Sequence, residues 1–210
     1  MPRERHKRGT MNTRPRAESV AQLLASPGLQ HDQAQATIAA SLSSTALESP
    51  GGMLDDASLS LFGSAALGVS AQAEALADLL TNELCLCPDR DDHRALLIDH
   101  ALTSRRAHPL QIAVIGHELA RRAGIVSCVA FFEREPWTVL HGEDGMALVG
   151  PSSVGRRPVA PELRPRCPHQ IARQVLLEVR TAAPPERGLR AARLLRALPV
   201  HRCARREPGD

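Results

Sequence analysis

The chain has 210 residues, room for one domain with a helical appendage, and 43% of them are hydrophobic, enough to fill a core. Aromatic residues make up only 2%, with no tyrosine, so few rings are on hand to stack bases and single-stranded nucleic-acid binding is disfavoured; a net charge of +3 does not change that reading. No segment reaches the ~20 apolar residues of a membrane span. The basic start MPRERHKRG is not followed by an apolar signal core, so no membrane partner and a cytoplasmic location are expected.

In chain order, Met1–Arg16 is basic and without apolar periodicity. It reads as a disordered, solvated tail, with weak attraction to nucleic acid or an anionic surface as the alternative. Ala17–Ser26 and Asp32–Leu47 have helical character, and Ser49–Gly52 reads as a break. Gln72–Leu84 carries Leu76, Leu79, Leu80 and Leu84 on one stripe, and Asp91–Ser104 repeats the pattern through Leu97, Ile98, Ala101 and Leu102. Both are expected to cover a central helix. That helix begins at Pro109, runs through Ile112, Ile115, Leu119 and Ala123, and stops at Gly124, where glycine supplies a left-handed end.

Beyond Gly124 the period changes to two. In Ile125–Phe132, Val126, Cys128, Ala130 and Phe132 share one side of a strand; Trp137–His141 and Met146–Val149 follow after short turns. The expectation is a three-stranded meander on the central helix. Ser152–Pro168 reads as a connecting loop. Gln170–Ala182 and Glu186–Leu198 then form an antiparallel helical hairpin. The division expected is a tail over 1–16, a domain over 17–151, a linker over 152–168 and a hairpin over 169–200, in a helix-rich α+β fold with a small antiparallel sheet.

Several residues carry chemical possibilities. The five cysteines, Cys85, Cys87, Cys128, Cys167 and Cys203, are odd in number and irregularly spaced, which argues for reduced thiols. Cys85 and Cys87 with His93 are metal-ligand types, but their spacing is neither a zinc ribbon nor a finger, and no metal or other cofactor is expected. His117-Glu118 starts like a zinc-protease signature, yet Arg121 stands where the second ligand belongs, leaving a surface pair. A hairpin centred near Arg134-Glu135 sets Cys128 roughly opposite His141, where thiol and imidazole can interact; the alternative is a buried structural cysteine. Arg105, Arg106 and His108 stand just before the unpaired N–H groups of the central helix, so an anion could bind there. Alternatively, Arg105 holds the turn through backbone carbonyls or Glu118. Trp137 either rims the same groove or simply packs.

The segment from Arg105 to Ile125 resembles the bacterial SirB-type transglutaminase-like family, whose pattern is Arg-x-Gly-x-Pro followed by a helix ending in Ala-Arg-Arg-x-Gly. Here Arg105, Ala107 in place of the glycine, Pro109, and Ala120-Arg121-Arg122 before Gly124 are in step without a gap. The resemblance covers roughly Leu54 to Pro199, and it implies a papain-like core closed by a tetratricopeptide-like helical tail. At its most active that fold places a cysteine at the helix start, a histidine leading into the second strand and an aspartate leading into the third. Pro109, Leu110 and Gln111 fill the first position, Glu133–Thr138 has no histidine, and Gly150-Pro151 replaces the aspartate-proline pair. The resemblance therefore implies a degenerate member without a triad: a protein-interaction or regulatory module with an unnamed protein partner. The alternatives are a papain-like cysteine hydrolase or amidase using a displaced Cys128–His141 pair, and a small-anion binding module at Arg105–Pro109.

Overall fold

Polar caps and prolines mark where the first helices begin. A computed structural model describes residues 17–24, 26, 28–43, 50–150, 154–155 and 163–198. The expectations for Met1–Arg16, for 44–47 and for Cys203 lie outside them. Helix α1 (Ala17–Leu24) is followed by α2 (His31–Leu42), which opens with a capping box between Gln30 and Gln33. Helix α3 (Pro50–Ser58) starts inside the segment read as a break. Proline lacks only an N–H that the first turn leaves unpaired anyway, so a Ser-Pro-Gly-Gly run can open a helix as well as end one.

A 3-10 turn, Leu59–Ser64, leads to α4 (Val69–Asp78), whose last part widens into a π-helical turn over Leu79–Glu83. Strand β1 (Cys87–Pro88) pairs in parallel with β2 (Arg106–Ala107). Between them the expected single helix is split: Asp92 caps a 3-10 turn over His93–Leu96, Leu97 is extended, and α5 (Ile98–Ser104) follows. Helix α6 (Pro109–Arg122) matches the expected central helix and is buried on nearly every side. Gly124 ends it with φ +82°.

Strands β3 (Ser127–Phe132), β4 (Glu135–Gly142) and β5 (Gly145–Val149) form the expected meander, with Cys128 opposite Val139 and Thr138 opposite Val149. The β3–β4 turn is centred on Glu133-Arg134, both at positive φ, one residue earlier than expected. The sheet has five strands, not three. Within the segment read as a loop, β6 (Val154–Gly155) pairs with β5 and β7 (Arg164–Arg166) pairs with β3, so the order is β6-β5-β4-β3-β7, all antiparallel. Edge strands of two or three residues are too short to show a period in sequence.

Helices α7 (Pro168–Ala182) and α8 (Pro185–Ala197) form the hairpin and pack on the rest of the chain, α7 against α2 and α8 against α1. One continuous core joins them to α6 and to Val129, Leu140, Ala147 and Val149 on the inner face of the sheet. Helix α6 approaches β4 so closely that a Cβ at Gly116 would stand 2.5 Å from Thr138 Oγ1, the hydroxyl that donates to Ala113 O at 2.9 Å. A second, small cluster of Ala130, Val139 and Leu148, with Cys128 and Trp137 packed on it, covers the outer face. The fold is α+β and helix-rich. Among the described residues no helix is long and apolar enough to cross a membrane.

Candidate functional site

The N-terminus of α6 is built around His108. As N-cap its Nδ1 accepts from Leu110 N at 3.3 Å, which leaves the proton on Nε2, and Nε2 faces Glu178 Oε2 of α7 at 3.5 Å. Gln174 donates to the other oxygen of Glu178 at 2.6 Å. Burial lowers the His108 pKa below its ordinary value, with Glu178 pulling the other way, so the ring caps the helix in its neutral form. The imidazole fills the place beside the helix N–H groups and ties the hairpin to the domain.

The basic turn in front of it is engaged in structure. Arg105 ends α5 in a left-handed conformation (φ 60°), and its carbonyl accepts from Cys87 N at 2.8 Å. Its side chain is exposed and does not reach Glu118, which binds Arg121 and Arg122 instead. Arg106 is paired with the buried Asp89 at 2.8 Å. Backbone N–H bonds, from Asp92 first, and then the Arg106 guanidinium hold the Asp89 carboxyl below its usual range. Where β4 begins, Glu135 forms an ion pair with Arg90.

Cys128 and His141 do meet, Sγ to Nε2 at 3.5 Å, as diagonal neighbours on the outer face of the sheet, away from α6. Burial pushes the Cys128 thiol up to about 11 and the His141 imidazole down. At neutral pH only about one Cys128 in ten thousand is then a thiolate. His141 borders an open cleft of about 560 Å³ with Val126, Gly142 and Asp144, but the Asp144 carboxylate accepts from Val69 N at 3.1 and 3.2 Å, capping α4 rather than orienting the imidazole. Trp137 lies on this same outer face, its ring against Gly150, where an added Cβ would come within 2.5 Å. It is thus separated by the sheet from α6 and does not share a groove with His108.

Sequence reading missed a cluster at the far end of α6. His117 Nδ1 contacts Ser127 Oγ at 2.9 Å, and the His31 ring meets His117 edge-on at 5.0 Å between centroids. Burial lowers His31 to about 3, helped by His117, Arg121 and His169, and lowers His117 to about 4. The nearby carboxylates Asp32 and Glu118 bind Arg122, so neither orients His117 for base catalysis. His117 drew notice only as the start of a zinc motif, and Ser127 gave no signal at all. His93 lies against Arg187, Nη1 to Nε2 at 2.6 Å, and Cys85 donates to Asn82 O. Among the described residues no three His, Cys, Asp or Glu side chains converge as a metal site. Cys85, Cys87 and Cys128 are free thiols, whereas Cys167 is disulfide-bonded, against the expectation of reduced cysteines throughout.

A central helix with an antiparallel sheet against it is thus combined with a helix start that carries no thiol. The family model described as the Transglutaminase-like superfamily matches residues 32–196. The chain belongs to the transglutaminase-like superfamily. No curated protein and no solved structure matches it. The match runs from α2 to the last turn of α8, so in this transglutaminase-like chain the helical hairpin falls within the span that defines the family. Its polar groups at the start of α6 are arranged as a helix cap and two ion pairs.

Proposed function

We propose that this transglutaminase-like chain is a non-catalytic module of the SirB type, a bacterial cytoplasmic protein that acts in regulation by binding another protein through its groove or its tetratricopeptide-like hairpin. One observation carries the reading: beside the N–H groups of α6, where the fold's thiol would act, His108 is locked between Leu110 N and Glu178. A neutral imidazole used as a helix cap has no nucleophile to activate.

A second reading, a papain-like hydrolase or amidase, is favoured by the 3.5 Å contact between Cys128 and His141. The raised thiol pKa weighs against it, and among the described residues no carboxylate orients the imidazole. The pairing of Arg106 with Asp89 weighs likewise against an anion site at Arg105–Pro109. The test is alkylation by iodoacetamide at neutral pH, alongside amine-incorporation and amide-cleavage assays on the full chain. The expected result is no turnover and a Cys128 that reacts more slowly than free cysteine. A fast-reacting thiol together with turnover, both lost in Cys128→Ala, would overturn the proposal.

A further inference from the structure

The charge of the chain is divided between two regions. Residues 50–150 hold fourteen acidic residues and seven arginines, a net −7, while residues 163–198 hold eight arginines and two glutamates, a net +6. In the first region Arg90, Arg94, Arg106, Arg121 and Arg122 are each paired with a carboxylate. In the second, none of the eight arginines forms an ion pair with a described acidic residue.

Two cations from these sets converge on one concavity. A cleft of about 420 Å³ opens between the β3–β7 edge of the sheet and α7, lined by Phe131, Arg134, Arg166, Gln170, Ile171 and Gln174. The buried Ile171 and the half-buried Phe131 give it an apolar floor. Arg166 stands over the Phe131 ring at 5.6 Å, an arrangement that positions the guanidinium while leaving its N–H fork open. Arg134 is presented by the tight β3–β4 turn, at φ 69°. Gln170 takes the Cys167 N–H on its carbonyl at 3.2 Å and keeps its amide donors.

The geometry points to a carboxylate-binding cleft for an acidic segment of a partner protein, with Arg134 and Arg166 each taking a carboxylate and an intervening apolar side chain resting on Phe131 and Ile171. This rests on the reading of the chain as an interaction module and supplies the chemistry of its partner. Forked guanidinium–carboxylate pairing at Arg134 and Arg166 sets the specificity. Nucleic acid fits the site less well, because the face of Phe131 that a base would need is occupied by Arg166.

The experiment is a fluorescence-anisotropy titration of the full chain with a labelled peptide in which leucines alternate with pairs of glutamates. The same peptide with glutamine for glutamate and a short DNA duplex are run beside it. The acidic peptide is expected to bind, the glutamine peptide not to. Binding should weaken about tenfold in Arg134→Ala/Arg166→Ala and stay within about twofold of the parent in Arg193→Ala/Arg196→Ala, which removes two exposed charges of α8. Equal melting temperatures of the three proteins establish that the effect is local. No binding of the acidic peptide, equal weakening by both double variants, or tighter binding of the duplex would each overturn the cleft. Turnover in the thiol assays, by contrast, would overturn the interaction-module reading itself, so the two failures are distinguishable.

Discussion

The two ends of α6 bury different kinds of polar group. At the N-terminal end His108 and the half-buried Glu178 make a modest cap with an ordinary helix start behind it. At the C-terminal end Glu118 is fully buried, with Arg121 and Arg122 on one of its oxygens, while His117 meets His31 edge-on and carries a strongly lowered pKa. Strong perturbation of a titratable group often marks an active site. Here it marks the end of the helix opposite His108, and the groups involved join α2, α3 and α6.

Acid should break this comparison most forcefully. His31 and His117 are neutral when folded, with pKa values of about 3 and about 4 against 6.5 in the unfolded chain. A lowered folded pKa means that the stability is fully present above 6.5 and is lost as pH falls through the window below it, because the unfolded state takes up the protons first. Over the window from 6.5 to about 4 each histidine accounts for on the order of 3 kcal/mol. Urea midpoints should fall steeply across that window, and His31→Asn with His117→Gln should flatten the slope. A midpoint that does not move between neutral pH and pH 4 would show that these rings are not buried as neutral groups.

Arg122→Ala comes next. The arginine bonds Glu118, Asp32 and Asp55 at once, so its loss leaves the buried Glu118 with Arg121 alone and unlinks α2 and α3 from α6. A cost of about 2 kcal/mol is expected from urea denaturation, since the buried carboxylate loses one of its two guanidinium partners and the links to Asp32 and Asp55 are broken. A loss below about 1 kcal/mol would place the network with weak surface pairs.

His108→Cys moves to the other end of the helix and asks whether the helix start still favours a thiolate. The helix N–H groups lower the pKa of a cysteine placed there while burial and the Glu178 carboxylate raise it, whereas at Cys128 burial pushes the thiol up to about 11 with no helix start to oppose it. With the helix N–H groups opposing burial only at 108, alkylation there should be several times faster than at 128 at neutral pH. Peptide mapping after iodoacetamide treatment separates the sites from the exposed Cys87. Amine incorporation should stay absent, because Glu135, paired with Arg90, stands where β4 begins, the place at which the fold's histidine would lead into that strand. Equal rates at 108 and 128 would show that α6 no longer offers an anion-favouring start.

The sequence made the long, periodic elements legible and little of the chemistry. The Ile112–Ala123 stripe and the alternation through Ile125–Phe132 correspond to α6 and β3, because burial dictates residue type at every third or second position. Strands β6 and β7 carry no such pattern; Arg164-Pro165-Arg166 is strand because β3 offers it an edge. Helix α3 was hidden by Pro50 and two glycines that usually signal a turn. The meeting of Cys128 with His141 followed from hairpin arithmetic even with the turn one residue off, since a diagonal pair tolerates that slip. Position along a strand does not say which face is open, and so the expected groove shared by Trp137 and His108 is divided by the sheet. The contact of His117 with Ser127 needed the helix–strand turn at Gly124, whose geometry no residue spacing encodes.

The smallest effect is expected from Glu178→Gln, and it decides what His108 is. The amide keeps the shape and an acceptor for the Nε2 proton, and Glu178 is partly exposed, so the stability change should stay within about 0.5 kcal/mol. The titration is more telling. Burial lowers the His108 pKa and the Glu178 charge opposes that shift, so removing the charge should move the pKa further down, read from ring-proton chemical shifts against pH. A cap needs only the neutral ring accepting from Leu110 N, and a lower pKa leaves it intact through the neutral range. An acid–base residue would need its carboxylate partner to stay near neutral titration, as a catalytic histidine does. A downward shift with unchanged stability therefore assigns His108 to the helix. A pKa that stays in place would mean that the two groups do not interact and that the hairpin is held to α6 by apolar packing alone.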